Sequence, residues 1–301
     1  MSRTLWATTA SALAASLVIG LSACSDSTNP SGGSTISASE TSDIGEGLAD
    51  EVDQSVASLS IEGAAAGKAS MHSAASFSVA GVAPLGSSCA TVSNTTDTDG
   101  DGAPDDATYT FALPACSFTG FRGGSLEITG TVELSDPTPA NADFAYQATL
   151  HDLEFNFTGP MGNLSFTATR NGTRVLTGNA AGASLSNNIT VERTFPVRQP
   201  ASVSHNLLLT FTPDEGQSLA LGQPLPNGTF TKSGTFTWTR GSVTRTFAVT
   251  TVVPLVWDAS CTTDRKITSG EIHATLGSGG YIKMVWSGCG VDPVRTFVPA
   301  S

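Results

Sequence analysis

The sequence predicts an all-β domain, in which an antiparallel meander forms a curled sheet, a half-barrel or a sandwich, preceded by one short N-terminal helix. Two observations predict it. From about residue 76 onward, apolar and polar residues alternate with a period of two, and the turns between these segments carry Gly, Asn, Pro and Asp. None of these segments has the period of a helix, which excludes helical crossovers between parallel strands. We therefore expect residues 76–301 to form one β domain.

The segment 228–253 shows this alternation most clearly. One face of its first strand carries the even-numbered residues Phe230, Lys232, Gly234, Phe236 and Trp238, whereas threonine and serine fill the other face. After a turn at 240–242, the residues that share one parity are Val243, Phe247, Val249 and Val253. This pattern predicts a hairpin with one buried face and one threonine-covered face in water.

One predicted strand changes its own parity. In the segment 143–157 the apolar positions are even up to Leu150 and odd from Leu153 onward. One extra residue at His151-Asp152 restores the alternation, so we predict a β-bulge there. The bend would bring His151, Asp152 and Glu154 together, either as a functional cluster or as a corner of the sheet without chemistry.

The N-terminus has the pattern of a targeting signal. Arg3 precedes a stretch of small and apolar residues, and this stretch ends in Leu21-Ser22-Ala23-Cys24. These four residues resemble the cleavage box of bacterial lipoproteins. The resemblance implies that residues 1–23 are removed and that Cys24 is acylated with palmitate-type chains, which anchor the protein in a membrane of the cell envelope. Ser25 stands where aspartate would retain an enterobacterial lipoprotein in the inner membrane, so the outer membrane is favoured.

Residues 24–43 are predicted to be the lipidated cysteine and a flexible tether, because they contain almost no bulky apolar side chain. A helix and a connection are expected over residues 44–75. The apolar residues that recur there at spacings of four and three are Ile44, Leu48, Val52, Val56 and Leu59. Asp43 and Glu46 resemble a capping pair at its start. We expect this helix to pack one face on the sheet and to expose an acidic face.

The charge balance narrows the possible partners. The whole chain carries 14 Lys and Arg against 26 Asp and Glu. Removal of residues 1–23 would also remove Arg3 and make the chain more acidic. Nucleic acids and anionic membrane surfaces are bound through cationic patches. An acidic chain of this kind argues against nucleic acid as a partner.

Four cysteines follow Cys24. An even number in an exported chain predicts two disulfides, for which three pairings are possible. The pairing that joins sequence neighbours is favoured, because each bond would then connect adjacent strands. A structural zinc site would require closely spaced pairs such as C-x-x-C, and the sequence has none. The predicted disulfide residues are Cys89, Cys116, Cys261 and Cys289.

An acidic loop, "TDTDGDGAPDD", occupies residues 96–106. Its D-x-D-x-D-G pattern resembles the start of an EF-hand loop and the calcium loops of thrombospondin type 3 repeats. The resemblance implies a calcium site whose side-chain ligands are Asp97, Asp99, Asp101 and Asp105, with the carbonyl of Ala103 as a further ligand. Thr108 stands where an EF-hand has its bidentate glutamate, and Asp106 is the candidate replacement. We expect calcium to have a structural role, in which it rigidifies the span from Cys89 to Cys116.

The sequence contains none of the local catalytic motifs G-x-S-x-G, H-E-x-x-H or a phosphate-binding glycine loop between a strand and a helix. Its histidines, which are His72, His151, His205 and His273, are expected on strand faces or the surface. We therefore predict no enzyme, but an envelope lipoprotein with a structural role or one in binding an unknown protein, glycan or lipid. The alternative is a periplasmic carrier of a lipid or other hydrophobic ligand, held in a curled-sheet groove. That alternative is similar in outline to the periplasmic half-barrels that handle lipoproteins.

Overall fold

The sheet dominates the structure, which is a computed structural model. It describes residues 36–59, 89–119, 124–141, 145–159, 165–196, 199–219, 224–263 and 265–301. These ranges belong to a single unit that spans Ser34–Ser301. The predicted signal peptide, Cys24, His72 and most of the predicted tether lie outside the described residues. Within the described ranges, no helix has the length and apolar character needed to cross a membrane.

One helix and thirteen strands make up the described part of the chain. The helix is α1 (Ala38–Ala57), and the strands are β1 (Thr91–Ser93), β2 (Asp106–Phe111), β3 (Ser117–Thr119), β4 (Ser125–Ser135), β5 (Tyr146–Thr158), β6 (Ser165–Asn179), β7 (Gly182–Thr194), β8 (Ala201–Pro213), β9 (Gly228–Arg240), β10 (Val243–Trp257), β11 (Ile267–Leu276), β12 (Tyr281–Trp286) and β13 (Val294–Val298).

All thirteen strands belong to a single antiparallel sheet. From β4 to β13 every strand pairs with its neighbours in the sequence, while β2 and β3 both pair with β4. The sheet is not closed: its strand order ends at β1 and β13, and β3 pairs with β4 alone among the described strands. The predicted all-β antiparallel meander is therefore confirmed. Of the architectures left open by the sequence, the structure has the single curled sheet.

The sheet is irregular at the point where β5 changes parity. Its pairing register shifts against β4 and against β6 around residues 151 and 152, and Asp152 has a φ of +45°. The bulge presses against Gly130 in β4, where an added Cβ would lie 2.4 Å from the carbonyl oxygen of Asp152. Only glycine fits at position 130, because any side chain there would collide with backbone.

A second irregularity, in β10, was not predicted. The register of β10 against β9 shifts between Thr250 and Leu255. Within this shift Val253 is exposed, although Phe247, Val249 and Leu255 have the same parity and are buried. Val243 is exposed as well, at the start of the strand and outside the shift. The sequence had placed both valines on the buried face. The simple alternation fails at Val253 because the strand adds residues between two paired positions.

The helix begins earlier than the sequence indicated. Ser37 is the N-cap, and it forms a capping box with Glu40, whose backbone N–H donates to the Ser37 side chain. The predicted capping pair, Asp43 and Glu46, is wrong, and residues 38–43 belong to the helix rather than to the tether. The apolar spacing used for the prediction starts only at Ile44, because the first turn contains small and polar residues.

Helix α1 lies on the concave face of the sheet. Side chains from β5, β6, β7, β8, β9, β10 and β13 reach it, so the sheet curls around the helix. Its apolar side chains, among them Leu48 and Val52, are fully buried in the core. The opposite side is covered as well, since Asp50, Glu51 and Gln54 are also buried. The expected exposed acidic face is therefore wrong for the middle of the helix.

Both predicted disulfides are confirmed, with the sequence-local pairing. Cys89 is bonded to Cys116, and Cys261 is bonded to Cys289. The first bond closes the span that contains the acidic loop. The second ties the connection between β10 and β11 to the connection between β12 and β13.

Candidate functional site

The most distinctive site is the charged interior between α1 and the sheet. Helix α1 carries the six carboxylates Glu40, Asp43, Glu46, Asp50, Glu51 and Asp53, and it has no lysine or arginine. At its N-terminal end two pairs lie near the rim of the sheet. The Arg245 guanidinium donates two hydrogen bonds to Oε1 of Glu40, at 3.0 and 2.9 Å. The guanidinium of Arg240 donates to the carboxylate of Asp43.

Glu51 is the centre of the interior. Its carboxylate lies 2.8 Å from Nε2 of His205 and 3.5 Å from Nζ of Lys232, and it accepts a hydrogen bond of 3.0 Å from Nδ2 of Asn187. Burial by itself raises the pKa of Glu51, but His205 and Lys232 outweigh that effect and hold this pKa below its ordinary value. Glu51 is therefore an anion within the protein, and its charge is matched by side chains of three adjacent strands.

Ser55 lies one helical turn after Glu51 and extends the same network. Its hydroxyl donates to Glu51 at 2.8 Å and lies 2.9 Å from Nζ of Lys232 and 2.8 Å from Nδ2 of Asn187. Serine, lysine and glutamate at such distances are residue types used in catalysis. Here Glu51, Ser55 and Lys232 are at most 3% exposed, so their arrangement satisfies buried polar groups rather than presenting them to a substrate.

Asp50 is buried in a less favourable environment. Its Oδ2 lies 3.2 Å from Nη2 of Arg193, while Oδ1 has no hydrogen-bond partner among the described residues. Burial, together with repulsion by Asp53, raises the pKa of Asp50 to about 6. The attraction of Arg193 and Arg170 lowers this pKa but does not outweigh burial. Ionised Asp50 therefore costs stability near neutral pH.

This cost predicts a pH-dependent effect of Asp50→Asn. The folded protein retains a proton on Asp50 up to about pH 6, and the unfolded chain loses it near 3.8. A carboxyl whose pKa is raised on folding stabilises the folded state at low pH, and this stability is lost as the pH rises. The free energy of unfolding of wild type should therefore fall by about 2–4 kcal/mol relative to that of Asp50→Asn between pH 4 and pH 7.5. Urea unfolding of both proteins across this range measures the difference, with Glu192→Gln on the exposed side of β7 as the control. A constant difference at every pH would contradict the expectation.

The C-terminal half of α1 is held by three further contacts. Arg265 lies 3.1 Å from the carboxylate of Asp53 and also pairs with Asp292. Arg174 donates to the Ser58 hydroxyl at 2.7 Å, just beyond the end of the helix. The hydroxyl of Tyr146 donates to the carbonyl of the same serine. These contacts place the end of α1 between the early and the late strands.

The sheet and its connections place more lysine and arginine side chains against α1 than α1 has carboxylates. Eight of the ten lysines and arginines in the described ranges face α1, and they are Arg170, Arg174, Arg193, Lys232, Arg240, Arg245, Arg265 and Arg295. Burial and the neighbouring Arg174 and Arg193 together lower the pKa of Arg170 to about 9, although Asp50 and Glu51 oppose this shift. Among the described residues, Nε and Nη1 of Arg170 and Nε of Arg174 have no hydrogen-bond partner.

The acidic loop is a second candidate site. Carboxylate oxygens of Asp97, Asp99 and Asp101 lie within 4.8 Å of one another. Glycine allows the tight turn, since Gly100 and Gly102 have φ values of +78° and +97°. Backbone N–H groups of both glycines donate to the carboxylate of Asp97, at 2.7 and 3.0 Å. Three of the predicted ligands are thus gathered in one place.

The other predicted ligands of this loop have different surroundings. The carboxylate of Asp105 accepts hydrogen bonds from the backbone N–H and the hydroxyl of Thr98, at 3.0 and 2.5 Å. Asp106 is the first residue of β2 and is exposed, and Ala103 is buried. Thr108 lies within β2, where its Cα faces Glu133 of β4. In this arrangement neither Asp105 nor Asp106 belongs to the group formed by the first three aspartates.

The bulge in β5 separates the three residues that were expected to cluster there. His151 lies 3.3 Å from the carboxylate of Glu133, and both side chains are exposed. Asp152 instead exchanges hydrogen bonds with Asn171, at 2.7 Å through its backbone N–H and 3.1 Å through its carboxylate. Glu154 is half-buried further along β5. The arrangement is that of a sheet corner with local polar pairs.

Sequence reasoning missed the buried polar residues on the strands. His205 was expected at a surface or on a strand face without a role, but it is 2% exposed and contacts Glu51. The parity of its strand carried the signal, because Val203, Leu207 and Leu209 face the same side. Asn187 likewise shares the buried face of β7. His273 stacks on Tyr281 with ring centroids 4.2 Å apart, at the half-exposed face of β11.

No protein-family model, curated protein or solved structure matches this chain.

Proposed function

We propose that this chain is a lipid-anchored protein of the bacterial cell envelope with a non-enzymatic role in structure or binding. The observation that carries this proposal is the occupation of the concave face of the sheet by α1. Glu51, Lys232 and the other polar side chains in that interior bond to one another and are buried. Chemistry on a substrate would require them to be accessible. The resemblance of Leu21-Ser22-Ala23-Cys24 to a lipoprotein cleavage box supports the anchor, and Ser25 supports the outer membrane as its location.

The carrier alternative has less support. A lipid in a curled-sheet groove would lie on the concave face, where Leu48 and Val52 of α1 now pack. A depression of about 530 Å³ lies instead beside the start of the helix, between Ile36, Thr41 and Phe297. Arg295 also lines it, which is unsuited to an apolar chain.

A calcium ion held by Asp97, Asp99 and Asp101 is part of the proposal. Three carboxylates within 4.8 Å repel one another unless a cation lies between them, and oxygen ligands suit Ca²⁺. In this proposal Asp105 would have to leave Thr98 to become a ligand, with Ala103 and Asp106 as the remaining candidates. The ion would be structural, because it would fix a loop already closed by the Cys89–Cys116 bond.

The anchor is tested in cells. We expect the full chain to incorporate an alkyne-tagged palmitate and to sediment with membranes, in the outer-membrane fraction of a density gradient. Cys24→Ala should abolish the labelling and leave an uncleaved precursor, because the acylated thiol is missing. Ser22→Ala, which keeps the cysteine, is the matched control and should retain the label. Labelling of Cys24→Ala equal to that of wild type would contradict a lipid at this cysteine.

The calcium proposal predicts a change in thermal stability. For a site of the weaker extracellular range, 10 mM calcium should stabilise the folded state by about 2 kcal/mol, which raises the unfolding midpoint by about 4 °C. Asp97→Asn/Asp101→Asn should abolish this rise. Asp214→Asn, in the connection between β8 and β9, is the matched control and should keep it. Equal midpoints of wild type with calcium and with a chelator would contradict the site.

A further inference from the structure

We propose that the concave face of the sheet is a docking groove for an acidic helix, and that α1 of a second copy of this chain can occupy it in place of the chain's own α1. Two copies would then exchange helices and be joined by two identical helix–sheet interfaces. This inference goes beyond the proposed anchoring and does not depend on it.

The first support is the charge complementarity between the two parts. The helix contributes no cationic side chain, and the wall of the groove contributes lysine and arginine side chains from five strands and from the connection between β10 and β11. The exposed positions of the described strands are mainly threonine, serine and asparagine, so the positive charge of these strands is concentrated on the concave face. Complementary charge of this kind fixes the orientation of separate binding partners and rejects wrong ones.

The second support is that buried ion pairs add little net stability to an ordinary protein core. A buried ion pair recovers little more than the cost of removing both charges from water, and apolar side chains of the same volume often stabilise as well or better. Lys232 and Arg174 are nevertheless each 1% exposed. What these cations provide is selectivity for a helix with carboxylates at the matching positions.

The third support is that α1 leaves hydrogen-bond donors of the groove without a partner among the described residues. Arg170 and Arg174 are 4% and 1% exposed, and both keep guanidinium N–H groups without a partner among the described residues. Oδ1 of Asp50 is unpartnered on the side of the helix. The interface thus resembles a docked complex with residual unpaired donors more than the saturated interior of a single fold.

The fourth support is the way in which α1 is connected. The helix belongs to no strand pair, and side chains of the strands, among them Arg174, Asn187 and Lys232, make its contacts with the sheet. It precedes β1 in the sequence, with residues 58–90 between them. A chain of that length reaches at most on the order of 100 Å. The covalent link therefore permits α1 to enter the groove of a neighbouring copy.

Charge reversal at the rim tests the exchange. One full-length variant carries Glu40→Arg and Asp43→Arg, and a second carries Arg240→Glu and Arg245→Glu, each with a different affinity tag. Every copy alone then repels its own helix, whereas exchange between the two variants restores opposite charges in both grooves. After co-expression and purification in detergent, we expect at least tenfold more of the second variant to co-purify with the first than in wild-type pairs. Native mass spectrometry should give the mass of a one-to-one pair.

The control is a chain that carries all four substitutions, because it restores the ion pairs within one copy and should co-purify no more than wild type. A second measurement covers the case in which the reversed variants do not fold. Ser55→Cys in one chain and Asn187→Cys in another, positions whose side chains are 2.8 Å apart, are refolded together and oxidised. A disulfide-linked pair of chains supports exchange. Absence of both the co-purified pair and the linked pair would overturn it.

Discussion

Replacing Glu51 by alanine is expected to lower the free energy of unfolding by about 3–5 kcal/mol. The substitution removes the anion that lies beside His205 and Lys232 and leaves the lysine buried without a counter-charge. Lys232 is 1% exposed, so water cannot replace the lost carboxylate. Urea unfolding followed by circular dichroism at pH 7.5 measures the change.

A double substitution separates the loss of the ion pair from the loss of packing. Glu51→Met/Lys232→Met removes both charges and fills the same space with apolar atoms, so it should be more stable than Glu51→Ala. Glu192→Ala, at an exposed position of β7, is the matched control and should change stability by no more than about 0.5 kcal/mol. If Glu51→Ala behaves like this control, the buried network does not hold the helix.

Removal of the first disulfide is expected to have the second-largest effect. The cysteines of this bond are 27 residues apart, and closing a loop of that length stabilises a fold by about 3–4 kcal/mol in the chain-entropy account. Cys89→Ala/Cys116→Ala should therefore lower the free energy of unfolding by about that amount in the same urea experiment. The loop also contains Asp97 and its neighbours, so the proposed effect of calcium on the unfolding midpoint should become smaller.

The other disulfide supplies the comparison for this result. Cys261 and Cys289 are 28 residues apart, so Cys261→Ala/Cys289→Ala should cost a similar free energy. It lies away from the acidic loop in the sequence and should leave the calcium effect unchanged. Equal loss of the calcium effect in both variants would show that it reports general stability rather than the loop.

Much of the fold follows from local patterns in the sequence. Alternation over segments such as 228–240 predicts both the strands and the face that each side chain occupies, which is why Lys232 could be placed among buried residues in advance. The bulge in β5 follows from one broken parity. The pairing of the cysteines follows from closeness in the sequence, because consecutive strands are neighbours in a meander.

The interior site could be predicted only in its parts. The strand parity of His205, Asn187 and Lys232 indicates that they point inward, and α1 is recognisable as an acidic helix. Their meeting at Glu51 depends on the curvature of the sheet and on where the helix docks, and neither leaves a periodic signal. The true start of the helix was missed for a related reason, since Ser37 and Glu40 form their cap before the apolar spacing begins.

The position of α1 also has a consequence for the order of folding. Most of the sheet can form by zipping, because from β4 onward each strand pairs with the next one along the chain. The helix is synthesised before the strands, yet its partners are distant in the sequence. Tyr146 is 88 positions from Ser58, and Arg265 is 212 positions from Asp53. Such distant contacts carry the largest loop-closure cost and form late. The carboxylates of α1 therefore remain in water until the last arginines of the sheet are in place, and docking of the helix becomes the step that completes the domain.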